Sequence, residues 1–133
     1  MRYHAKDRTS AIEAKVWRFE SVETSIQATS TILIYITVAK ILEPKKLEVI
    51  LKAVPVVQND PTWDCITWVK NALEELHKSG CLGTHQSEWE VVKQVAMDYV
   101  TRKVTEHRFD GQVPVDKVKV PTYDLMDRKE VVP

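Results

Sequence analysis

The spacing of apolar positions changes along the chain, from runs dense in β-branched residues to runs spaced by three and four. Lys15 to Val22 (K-V-W-R-F-E-S-V) sets Val16, Phe19 and Val22 against polar neighbours, with Trp17 out of step, and predicts a strand. Thr31 to Ile41 is almost uniformly apolar and rich in β-branched and aromatic residues, which predicts a central strand covered on both faces. Arg2 to Ala5 predicts a short strand feeding a polar turn.

The middle of the chain has helical spacing. Pro44 stands where helices start, and Leu47, Ile50, Leu51 and Val54 follow before Pro55 ends the run. A second helix is predicted from Thr62 or Asp64 to Ser79, with an inward stripe of Cys65, Trp68, Val69, Ala72, Leu73 and Leu76 and a stop at Gly80. Ser87-Glu88-Trp89-Glu90 has the pattern of a capping box. The helix behind it places Trp89, Val92, Val95, Ala96, Tyr99 and Val100 inward and should reach about His107.

After Gly111 the prolines Pro114, Pro121 and Pro133 and the short apolar pieces V-K-V-P-T-Y-D-L and E-V-V-P predict an extended tail with one edge strand. Strands first and helices after imply an α+β fold: a small antiparallel sheet from the N-terminal third packed against three helices. The expected organisation is one domain over residues 1–110 and an extended tail, 111–133, lying along it.

Composition narrows the function classes. The 133 residues carry 19 basic and 19 acidic side chains, so no broad basic face is on offer to nucleic acid. No apolar run approaches the roughly 20 residues needed to span a bilayer, and the first residues, M-R-Y-H-A-K-D-R, do not resemble a signal peptide. With two cysteines and no disulfide framework, the expectation is a soluble cytoplasmic protein with reduced thiols.

The most informative segment is D-P-T-W-D-C-I-T-W-V-K-N-A-L. It places Cys65 in the first turn of an amphipathic helix, where free N–H groups and the helix dipole favour a thiolate and offer an oxyanion site. The plainer alternative is that Cys65 is a small buried residue of the core stripe. Trp63 and Trp68 flank it as core anchors or substrate contacts, with Tyr3 a third candidate contact. A thiol enzyme also needs an imidazole. His77 lies about 18 Å along the same helix, and His85 and His107 are explained by a turn and a helix end, which leaves His4 on its strand. Cys65 and Cys81 lack a second Cys-x-x-Cys element, so no metal site is expected. No cofactor fingerprint occurs. Arg102-Lys103 and Lys45-Lys46 read as ordinary surface charge.

R-Y-H-A-K-D-R, P-V-V-Q-N-D-P-T-W-D-C-I-T-W-V-K-N-A-L, H-R-F-D-G and V-P-T-Y-D-L resemble an uncharacterised family of small fungal proteins over nearly the whole chain. A more distant resemblance is to circularly permuted papain-like thiol enzymes of the lecithin:retinol acyltransferase and NlpC type. That resemblance implies Cys65 as nucleophile and His4 as the orienting residue. In those enzymes an earlier strand carries its own histidine, whereas here Met1 directly precedes Arg2-Tyr3-His4. Either the chain is truncated, His4 serves as the base, or the site is inactive. An open sheet edge would invite a homodimer.

Three functions follow. The first is a thiol hydrolase or acyltransferase acting on an ester, thioester or amide. The second is a non-catalytic binding or assembly protein of the same fold, in a fungal biosynthetic pathway. The third is a non-covalent cyclase or isomerase with an apolar pocket lined by Trp17, Trp63 and Tyr35.

Overall fold

The structure, a computed structural model, describes residues 1–8, 16–25, 31–86 and 88–133. In chain order the elements are β1 (Arg2–Arg8), β2 (Val16–Val22), β3 (Tyr35–Thr37), β4 (Ala39–Ile41), α1 (Pro44–Ala53), α2 (Cys65–Lys78), β5 (Leu82–His85), α3 (Trp89–Thr105), β6 (Thr122–Asp124) and β7 (Lys129–Val132). This is an α+β fold with three helices among the described residues. Its strands form three small sheets: β1–β2, β4–β5, and β3–β6–β7. The chain divides into two compact units, residues 1–25 with 41–83, and residues 26–40 with 84–133.

In the first unit β1 and β2 form an antiparallel ribbon, with His4 opposite Glu20 and Ala5 opposite Phe19. The first strand runs three residues beyond the expected Arg2–Ala5, because each added residue finds a partner on β2. Lys15 and the turn before it lie outside the described residues. Side chains alternate along a strand, so Val16 and Phe19, three apart, cannot share a face. The inward face carries Trp17 and Phe19, which meet Trp63 and Trp68; Val16, expected inward, is exposed.

Helix α1 starts at Pro44 as the sequence predicts and buries Leu51, with Val54 buried at its C-cap. Helix α2 begins at Cys65 because Asp64 caps it: Asp64 Oδ1 accepts from the N–H groups of Ile66 and Thr67, at 2.9 and 3.0 Å. Its end is fixed by Gly80, whose φ of 72° is open to glycine without penalty. Trp68, Ala72, Leu73 and Leu76 are buried as expected, but Cys65 and Val69 are exposed. Those two point the same way around the helix as the buried four, yet no element among the described residues covers them. Cys81 is fully buried, its thiol pointing at Glu43 O.

The expected single strand from Thr31 to Ile41 is two short ones, neither fully buried. The break at Val38 lets each half take a different partner. β3 pairs in parallel with β6, while β4 pairs with β5. Helix α3 buries Val92 and Tyr99 but stops at Thr105, short of His107, whose φ of 59° is left-handed. Ser87 of the expected capping box lies outside the described residues. The tail supplies two strands rather than one. β6 and β7 form a hairpin whose turn is closed by Asp124 Oδ1 accepting from Met126 N and Asp127 N.

Candidate functional site

The β1–β2 ribbon, the start of α2 and the residues just before it hold the nominated catalytic and substrate-contact residues, His4, Cys65, Tyr3, Trp63 and Trp68. Tyr3, Ala5, Trp17 and Phe19 occupy one face of the ribbon, by alternation and cross-strand register. On that face the Tyr3 ring stacks on Phe19 at 6.3 Å, and Phe19 meets Trp68 at 5.9 Å. Trp17 lies edge-on to Trp63 at 5.4 Å. Of the expected substrate contacts, Tyr3 and Trp68 meet through Phe19 and Trp63 meets Trp17, two ring groups joined into a cluster by the strand that carries Trp17 and Phe19. Tyr35, the remaining pocket candidate, belongs to the second unit.

Two atoms in this cluster are out of balance. Trp63 and Trp68 are 7% and 2% exposed, and the indole Nε1 of each is buried without a hydrogen-bond acceptor. Leaving a buried donor unmade costs about 1–3 kcal/mol, so two within five residues of sequence call for an explanation.

His4 lies on the other face. It and Glu20 sit opposite one another in register, and His4 Nε2 is 2.6 Å from Glu20 Oε2, with the Lys6 ammonium 4.0 Å from the same oxygen. The alternation that turns Phe19 and Trp17 toward α2 turns His4 away from it. Cys65 is exposed at the first position of α2. The helix N–H groups that would steady a thiolate or an oxyanion are engaged by Asp64 at Ile66 and Thr67. That carboxylate also offsets the positive end of the helix dipole.

A second polar cluster, unforeseen from the sequence, occupies the second unit. Lys103 is 2% exposed, a burial that corrects its reading as surface charge. Its ammonium lies 2.6 Å from both Glu106 Oε2 and Glu130 Oε2. Glu130 Oε2 also accepts from Tyr99 Oη at 2.7 Å and from Arg102 Nη2 at 3.0 Å. Burial pushes the Glu130 carboxyl up, but hydrogen bonds from Lys103, Tyr99 and Arg102 outweigh it and hold the group below the usual carboxylate range. Burial, then the hydrogen bond and charge of Glu130, push the Tyr99 phenol well above its ordinary value. The signal available in the sequence was spacing: Val92, Tyr99 and Lys103 continue one stripe of α3. Because every charge here is matched inside the fold, the cluster reads as a clasp holding β7 to α3.

Among the described residues no group of three or more His, Cys, Asp or Glu side chains could hold a metal ion. No helix among them is long and apolar enough to cross a membrane. The chain belongs to DUF6914, a family of unknown function, whose model matches residues 1–132. Neither the curated proteins nor the solved structures give a match.

Proposed function

We propose that this member of DUF6914 is a non-catalytic binding module. The aromatic face of its first unit would take a small, largely apolar ligand bearing a hydrogen-bond acceptor. The observation that carries the reading is the pair of buried, acceptorless indole N–H groups of Trp63 and Trp68. An acceptor reaching them would recover what their burial costs, and the surrounding rings supply dispersion and apolar contact. Two further features favour binding over catalysis: the imidazole of His4 lies on the far face of the ribbon, and Asp64 occupies the N–H groups beside Cys65. In its assembly form the same reading has β1, an outer strand among the described residues, pairing with a second copy.

Indole N–H resonances and the behaviour of Cys65→Ala test it together. Adding benzoate or N-methylbenzamide should shift the Trp63 and Trp68 indole signals and leave that of Trp89 in place. Cys65→Ala should leave these shifts unchanged and abolish no ester turnover, since the exposed thiol plays no part in binding. Ester turnover by the protein that is lost in Cys65→Ala would overturn the reading. Unmoved indole signals would also count against it.

A second reading, the thiol acyltransferase or hydrolase, is favoured by one observation: the Glu20 carboxylate holds the His4 imidazole in a fixed orientation, as a general base requires. In it Cys65 Sγ bonds to the acyl carbon, its proton passes through His4 to the departing alcohol, thiol or amine, and water or a second nucleophile then takes the acyl group from sulfur. The ribbon would have to turn its His4 face, which the register directs away from α2, toward Cys65. Loss of turnover in both Cys65→Ala and His4→Gln would support it.

A further inference from the structure

We propose that the second unit carries a binding site for a small carboxylate with an apolar body. It lies in the cleft that the Arg108–Pro121 loop makes with Ile32 and Leu33. The cleft has a volume of about 460 Å³, within the range of small-molecule sites. The site shares no residue with the first-unit aromatic face, so it stands or falls independently of the function proposed above.

The loop is held shut by Arg108, whose Nη2 donates to Asp116 O and Lys119 O, each at 2.8 Å. These partners are neutral carbonyls, so the guanidinium is fixed in place without an ion pair among the described residues. Lys117 lines the same cleft and makes no ion pair among the described residues. Lys119, the third cation there, is 3.6 Å from Asp116 Oδ2. The one carboxylate lining the cleft, Asp110, is engaged elsewhere. Its Oδ2 is 2.7 Å from His107 Nδ1 and its Oδ1 accepts from Gln112 N at 2.9 Å. Arg108 and Lys117, two cations with no ion pair among the described residues, therefore face a cleft that also holds the Asp110 carboxylate and is otherwise largely apolar, with Phe109 and Leu33 partly exposed and Val120 buried.

That combination discriminates by chemistry. A neutral apolar molecule would leave both charges unpaired. Inorganic phosphate would meet the charges and gain nothing from Ile32, Leu33 and Phe109. A monoanion with an aliphatic or aromatic body satisfies both requirements, and the volume favours a short one.

Titration of the full chain with octanoate, octanol and inorganic phosphate, with each affinity read from the amide resonances of the cleft so that binding at the first-unit aromatic face does not enter, tests the site. Octanoate should shift the amides of Arg108 to Gly111 and of Lys117 to Val120, and bind at least about tenfold more tightly than octanol. Lys117→Gln, at an exposed and unpaired position, should weaken octanoate about tenfold and leave octanol unchanged. The proposal is overturned by equal affinity for octanol, by phosphate binding as tightly as octanoate, or by an indifferent Lys117→Gln. It is equally overturned if octanoate does not bind, including the case where the protein sediments only with phosphatidylserine vesicles.

Discussion

Replacing Glu130 by alanine removes the acceptor that ties β7 to α3, and the structure sets the expected cost. Breaking a buried ion pair by deleting one partner costs about 3–5 kcal/mol, because the other charge stays buried and unpaired. Here Lys103 is that charge, with its side chain 3% exposed. Two features reduce the figure. Glu106 Oε2 remains 2.6 Å from the ammonium, and Glu130 itself is 27% exposed, so water already screens part of the interaction. The Arg102 contact, on a half-exposed side chain, adds about 0–1 kcal/mol, and the Tyr99 hydroxyl keeps Val132 O at 3.2 Å. The net expectation is a loss of about 2–3 kcal/mol, which for a chain of this length is a fall in melting temperature of about 8–12 °C. Native-state amide exchange is the better assay, since the two units need not unfold together. Protection at Lys129–Val132 should drop while that of α2 is unchanged. Lys103→Met in the Glu130→Ala background should recover part of the loss, because it removes the stranded charge. A cost below about 0.5 kcal/mol, or strictly additive single substitutions, would refute the clasp.

Further outcomes follow from the same geometry. The folded Glu130 carboxyl titrates below its unfolded value, so its contribution is complete above pH ~4.3 and is lost as pH falls through the folded value; acid titration of Glu130→Gln should lack this limb. Tyr99 has the opposite sense. Its neutral phenol is favoured in the fold, so stability should fall as pH rises above ~10, and Tyr99→Phe should remove that alkaline limb, read by circular dichroism. Asp64→Ala should cost about 1 kcal/mol through loss of the α2 cap and leave the second unit's exchange pattern unaltered. Trp63→Phe should cost less than the roughly 3–5 kcal/mol of a large aromatic truncation, because it deletes an unsatisfied donor along with the packing it removes; a larger loss would mean that the indole N–H has an acceptor in solution.

The helices were the legible part of this sequence, because each announces itself with local chemistry. Pro44 begins α1, Asp64 and Gly80 bracket α2, and spacing alone marks the inward side of α3. What periodicity could not give was the extent of cover, so Cys65 and Val69 looked like core and lie exposed. The strands were harder, since pairing is settled by distant residues. Thr31 to Ile41 reads as one strand until Pro121 and Leu125 bond to the ends of β3 and Val38 O takes Gln86 N instead. The β6–β7 hairpin was hidden because its turn uses Asp124 side-chain acceptance and a left-handed Arg128, φ 52°, where a glycine would have advertised it. In the candidate site, residue identities were readable but faces were not. His4 and Phe19 are both on the ribbon, and only the register shows that they look in opposite directions. Lys103 and Glu130, far apart in sequence, gave no local hint that each is the other's counterion.

One side chain outside every site sets how the molecule behaves in a crowded solution. Gln58 turns its amide toward β2, donating from Nε2 to Trp17 O at 2.7 Å and accepting from Trp17 N at 2.9 Å, so that a single carboxamide imitates a neighbouring peptide. A visiting chain that sought to extend the ribbon at that point would find the rung already taken. Loss of that plug would therefore appear first as fibrillar growth on standing and only later, if at all, as a weaker fold.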